Sequence, residues 1–177
     1  MKYLLTILMG ISLITFGCDK KSTDSDNKDQ IFSYTTINVK TNTEYFNFAN
    51  NTGSSNQNSN YDVEFYSELY QPPGMPFPIS DPRFKVKDGL SAAVIDVESL
   101  DDIMEVPANS EFITNFVSEN GEWYDTNDGL ILPYDKVYVV NTNDGKFPAF
   151  EIINYYAEVD NEVVSGYYTI EWKYLSE

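Results

Sequence analysis

Between residues 31 and 175 the apolar positions come in short runs, many of them alternating with polar ones, and clusters of Asn, Asp, Gly, Ser and Pro separate the runs. Period-two alternation bounded by turn residues predicts half-buried strands. The first spans 31–39 and the second 44–48, divided by the turn-prone Thr41, Asn42 and Thr43. Residues 61–70 follow, with Val63 and Phe65 flanking Glu64; then comes 84–97, where Asp88-Gly89 is placed to fold the segment back on itself. From residue 111 onward the rhythm is clearest, with strands predicted at 111–117, 130–131, 136–140, 150–157 and 166–174. Breaks at Asn120-Gly121, Asp128-Gly129 and Asp144-Gly145 supply the positive φ angles that tight hairpins need.

Two interruptions are longer. Residues 50–60 consist of Asn, Ser, Gly, Thr and Gln, the composition of an exposed loop whose backbone bonds to water. Residues 71–82, QPPGMPFPISDP, hold five prolines that lack an amide donor, which predicts a stiff loop and not a central strand. Only 99–104 reads as a helical turn, since Ser99 suits an N-cap and Asp101 and Asp102 put negative charge in the first turn. The pattern as a whole predicts an all-β fold, an antiparallel meander or sandwich-like single domain. The 14 Tyr and 11 Phe agree, because flat rings fit a pleated, half-buried surface.

The first 17 residues break this rhythm. Lys2, an apolar run at 3–16 and Gly17 directly before Cys18 have the order of a secretory signal. The run is shorter than the roughly 20 residues of a membrane span, so a cleaved signal peptide is predicted at 1–17. Cys18 is the chain's only cysteine, which rules out an internal disulfide and makes it the candidate lipidation site. The alternative is ordinary cleavage nearby, leaving a free thiol. Residues 18–30 are polar and mixed in charge, a flexible acidic and lysine-containing tether, and 31–177 supply one core. Acidic and lysine-rich residues after such a cysteine resemble surface-export signals of some Gram-negative lipoproteins, which implies the outer membrane and its cell-surface side.

Charge and composition then narrow the chemistry. A formal net charge of −17 repels nucleic acid and anionic lipid. The absence of histidine removes the commonest metal ligand and general base, and every Ser-His or Cys-His arrangement. Paired carboxylates such as Asp101 and Asp102 are expected by chance among 28 acidic residues, so no enzyme activity is predicted. TNDG occurs at 126–129 and again at 142–145. Its spacing fails a calcium loop and reads as turn chemistry. Met75 and Phe77 sit in the proline-rich loop, either presented to a ligand or packed over one end of the sheet. Met104 lies beside Ile103 and Val106, a place for core filler or for a ligand.

Several segments resemble the HmuY family of haem-binding lipoproteins. They are the pair Trp123 and Tyr124, PYDKVYVVNTNDGKFPAFEIINYY at 133–156, SGYYTIEWKY at 165–174, YFNF at 45–48 and YDVEF at 61–65, where Tyr61 stands in a place often held by tryptophan. The resemblance implies a hand-like all-β domain in which two loops pinch a haem, and a partner role beside an outer-membrane TonB-dependent receptor. Two histidines ligate the iron in the best-known members, and bis-histidine ligation is excluded in a chain without histidine. Relatives with two methionines in that role make Met75 and Met104 the implied axial ligands, thioether sulfur being a known haem ligand. The rival expectation is an accessory or adhesive surface lipoprotein of the same fold that has lost haem and contacts protein or glycan.

The anchor can be tested directly. Cys18→Ala is expected to move the protein from the membrane fraction to the soluble one, since acyl chains supply about 0.8 kcal/mol per buried methylene and no other segment offers comparable apolar area. A variant that still sediments with membranes after a carbonate wash would refute lipidation.

Overall fold

The computed structural model describes residues 30–142 and 144–176. The predicted signal peptide, Cys18 and all but the last residue of the tether lie outside them. The chain forms β1 (Phe32–Thr35), β2 (Glu44–Asn47), β3 (Thr52–Ser54), β4 (Val63–Tyr70), β5 (Ile79–Val86) and β6 (Ser91–Ile95). After a long connection come β7 (Ile113–Thr114), β8 (Tyr124–Asn127), β9 (Leu130–Pro133), β10 (Val137–Asn141), β11 (Phe147–Val159) and β12 (Glu162–Leu175). These build a six-stranded sheet in the order β1-β12-β11-β10-β6-β7, a four-stranded sheet β3-β2-β4-β5 and the separate hairpin β8-β9. The pairings are antiparallel, so the all-β, sandwich-like expectation holds.

Alternation along β10 shows how the layers stack. Tyr138 and Val140 point into the cluster shared with Phe46, Phe65 and Phe84 of the smaller sheet and with Phe48 of the 3₁₀ turn just after β2. Val137 and Val139 point the other way, against Leu100 and Ile103, with Val97, Val106 and Phe112 packed alongside. The connection 96–112 therefore lies as a strap over the outer face of the six-stranded sheet. Burial on both faces explains why β10 reads as an unbroken apolar run. A second tie crosses the layers at one edge. The Tyr34 hydroxyl of β1 donates to Glu44 Oε1 of β2 at 2.5 Å, and the Ile37 amide donates to Oε2. Gly53 leaves the room for this buried carboxylate, since a Cβ there would overlap Glu44 Oε1 and the Tyr34 hydroxyl.

Two turns show the local chemistry. Asp128 and Gly129, with φ of 50° and 79°, close β8-β9 as their sequence predicts. Asp160 and Asn161, with φ of 53° and 66°, close the long β11-β12 hairpin. Asn and Asp tolerate that conformation because their short side chains bond locally.

The proline-rich segment corrects one expectation. The loop covers only 71–78, and Ile79 to Pro82 begin β5. Phe84 and Val86 turn their amides away from β4, toward Ser118 Oγ and the Phe116 carbonyl. By alternation Pro82 faces the same outward side, so its missing N–H costs no bond to β4. Three shorter differences follow from competing local bonds. The predicted strand 111–117 is reduced to Ile113–Thr114, because a 3₁₀ turn occupies Asn109–Glu111 and Asn115 takes φ 55°. The loop 50–60 contributes the short strand β3. The helical turn is only Leu100–Asp102, and the Ser99 hydroxyl donates to the Asp102 carboxylate at 3.0 Å instead of capping the backbone.

The two residues Phe84 and Pro82 separate core from edge. Phe84→Ala is expected to lower stability by about 3–5 kcal/mol in urea unfolding, as truncation of a fully buried ring does, and Pro82→Ala by less than about 1 kcal/mol. Equal losses would contradict this account of β5.

Candidate functional site

Three hairpins leave the sandwich at the same end. On β4, Phe65, Ser67 and Leu69 share the face turned toward the six-stranded sheet; Phe65 is fully buried, whereas Leu69 is 79% exposed. The larger layer thus ends before the β4-β5 hairpin does, and the hairpin overhangs it. Its tip is preformed. The Met75 amide donates to the Pro72 carbonyl at 3.1 Å around Pro73 and Gly74, and Gly74 has φ 85°. That is a type II turn, with proline and glycine at the positions that favour each. The Gln71 amide side chain also donates to the Met75 carbonyl. Met75 and Phe77 emerge 47% and 61% exposed from this braced turn, beside exposed Leu69 and Ile79.

A buried polar knot ties the hairpin bases together. Trp123, 1% exposed, donates its indole N–H to the Pro82 carbonyl at 3.0 Å and packs on Tyr155 and Tyr168. The Tyr124 hydroxyl donates to Asp81 Oδ1 at 2.6 Å, and Arg83 Nε donates to Asp81 Oδ2 at 2.7 Å. Asp81 is fully buried, and these charge-assisted bonds offset its desolvation. Burial, and after it the Asp81 bond, push the Tyr124 phenol well above its ordinary range. On the far side, the Ile131 amide of β9 donates to the Tyr156 hydroxyl of β11 at 2.7 Å. Beyond these ties Leu130, Leu132, Val159 and Val163 remain exposed. The end as a whole offers apolar side chains on rigid supports, the arrangement of a surface that receives an apolar ligand.

No protein-family model matches the chain, and neither does any curated protein. Solved structures do. A Bacteroides vulgatus protein described as HmuY-like and heme-binding superposes with a TM-score of 0.53 at 14% identity, over 86% of this chain and 96% of its own. A Bacteroides fragilis protein described as a lipoprotein gives 0.53 at 15% identity, over 87% of this chain and 93% of its own. The fold is HmuY-like.

Within this HmuY-like fold the two implied ligands lie apart. Met75 is at the tip of the overhanging hairpin of the smaller sheet. Met104 is on the strap across the outer face of the larger sheet, 77% exposed and just after buried Ile103. It is not core filler. The strap is fixed at its start by the Leu100 amide, which donates to Glu151 Oε2 at 3.1 Å. The two methionines thus stand on different elements, one at a hairpin tip and one on the strap. Sequence reasoning missed Leu69 and the partnership of Asp81 with Tyr124. The signal for Leu69 was present in the alternation Phe65, Ser67, Leu69. Nothing local marked Asp81, whose partner is 43 residues away.

Burial raises the Tyr155 phenol from 10.0 to about 12, sends Tyr138 higher still and raises Tyr168 well above its ordinary value. A raised folded value means that these neutral phenols stabilise the fold fully below pH 10.0, and that the contribution is lost as pH climbs through about 12. Phenolate absorbance is expected to rise in two stages, the second coinciding with loss of the strand signal in circular dichroism. A single early stage with the fold intact would contradict the packing around Trp123.

Proposed function

We propose that the protein is a lipid-anchored surface lipoprotein that captures haem at the overhanging end and passes it to an outer-membrane TonB-dependent receptor. The observation that carries this is the rigid, exposed apolar tip of β4-β5 with a thioether on it, in an HmuY-like fold whose Bacteroides vulgatus neighbour is described as heme-binding. The donor chemistry fits. Leu69, Phe77 and Ile79 suit the apolar face of a macrocycle, and Met75 offers a soft sulfur to iron. Glu68 in the same hairpin disfavours placing haem carboxylates beside it. Capture of this kind requires an apolar surface and reversible ligation, and no catalytic step. Met104 completes a pair of axial ligands only if the strap leaves the sheet, so Met75 is the first candidate.

A haem titration of the protein decides between capture and the accessory role that the lack of histidine favours. A Soret shift is expected, with tighter binding after dithionite reduction than before, because thioether sulfur favours ferrous iron. Met75→Ala is expected to abolish the low-spin ferrous spectrum. Loss in Met104→Ala as well assigns the methionine pair, and loss in Met75→Ala alone assigns a single thioether. No Soret shift in either oxidation state would remove haem capture and leave the accessory lipoprotein.

A further inference from the structure

The end of the sandwich opposite the overhanging hairpins holds a separate cavity of about 200 Å³ that opens to solvent. The segments before β4, after β5, between β10 and β11, and at the end of β12 converge on it. Its walls include Tyr61, Asp62, Lys87, Thr142, Lys146 and Tyr174. Two ammonium groups thus face one cavity in a chain whose 28 acidic residues far outnumber its 11 basic ones.

Both ammonium groups are held against tyrosine rings. Lys87 Nζ sits 5.3 Å from the Tyr61 ring centre, and Lys146 Nζ sits 5.8 Å from that of Tyr174. Such contacts orient the cation through the ring quadrupole yet leave its N–H donors available. Lys146 makes a long ion pair with Asp144 Oδ2 at 3.8 Å, and Lys87 has no ion pair among the described residues. Asp144 Oδ1 accepts from the Thr142 hydroxyl and from the Lys146 amide, which leaves Oδ2 as the atom that faces Lys146.

Asp62 supplies the opposite charge. Its Oδ2 accepts from Asn47 Nδ2 at 3.0 Å and from the Phe48 amide at 2.9 Å, which fixes the carboxylate and leaves Oδ1 for a ligand. Burial raises its pKa, so an ammonium partner there relieves a real desolvation cost. A simple anion would meet the repulsion of a chain with net charge −17, and a neutral polyol would make no use of the fixed charges of both signs that line the cavity. A molecule carrying both charges and no net charge meets neither objection.

We propose that this cavity binds a small zwitterion of amino-acid size, with its carboxylate between Lys87 and Lys146 and its ammonium on Asp62. A space of about 200 Å³ has room for several water-sized groups, which suits a ligand of that class. The site is independent of haem capture, and either can fail without the other.

Isothermal titration of the full chain in detergent micelles tests this, with glycine, L-serine and L-threonine as probes and acetate and glucose as controls. Binding of at least one amino acid is expected, with none of acetate or glucose. Lys87→Met and Lys146→Met, at the open rim of the cavity, should each weaken it at least about tenfold, equivalent to about 1.4 kcal/mol, with the circular dichroism spectrum unchanged. Lys87→Gln and Lys146→Gln repeat the test should a methionine variant misfold. The proposal is overturned by no amino-acid binding at concentrations of about 10 mM, by acetate or glucose binding equally well, or by either lysine variant binding like the wild type.

Discussion

The ring of Phe150 meets Phe48 just after β2, Phe65 and Phe84 of the smaller sheet and Tyr138 of its own, at centroid distances of 5.9, 6.3, 5.4 and 5.3 Å. Each such pair contributes about 0.5–1.5 kcal/mol beyond the area it buries, and its preferred tilts leave little freedom for one sheet to slide over the other. The rest of the architecture depends on this junction. Phe150 sits on β11, which with β12 forms the longest hairpin of the chain, and the outer half of that hairpin supports Tyr155, Trp123 and the β8-β9 hairpin. The outer face of β11 and β10 carries the strap. One well-packed strand therefore sets the position of both candidate ligand surfaces, although no residue of the ring cluster belongs to either.

Most of the fold was legible because its decisive signals are local. Alternation around Val63 and Phe65 and the Asp128-Gly129 turn each specify a strand or a hairpin within a few residues. The failures lie where a distant partner decides. Pro82 looked like loop because its own backbone cannot donate outward, and only the burial of its neighbours shows that the outward side is where no donor to β4 is needed. Asn115 cut the strand 111–117 short by adopting a left-handed conformation that sequence does not mark among many asparagines. The candidate site was half legible: Met75 and Phe77 were recognisable from a loop that cannot retreat into a strand, whereas the position of Met104 depends on which face of the larger sheet the strap covers.

The two ends of the sandwich present different chemistry. The hairpin end exposes aliphatic and aromatic side chains over a buried polar knot, and the opposite end gathers charged groups around tyrosine rings. The separation follows from topology, since an antiparallel sandwich puts its connections at two poles and leaves the faces between them to packing. Residues at the poles are free to vary without disturbing the Phe150 cluster.

The closure of β5 carries a last consequence. Its outward amides at Phe84 and Val86 are occupied, Ser118 returns a bond to the Phe84 carbonyl, Trp123 takes the Pro82 carbonyl, and Pro82 has no amide to offer. A strand arriving from a neighbouring molecule finds no open ladder to extend on this side. The same few residues that fix the hairpin thus also close this edge of the small sheet to an added strand.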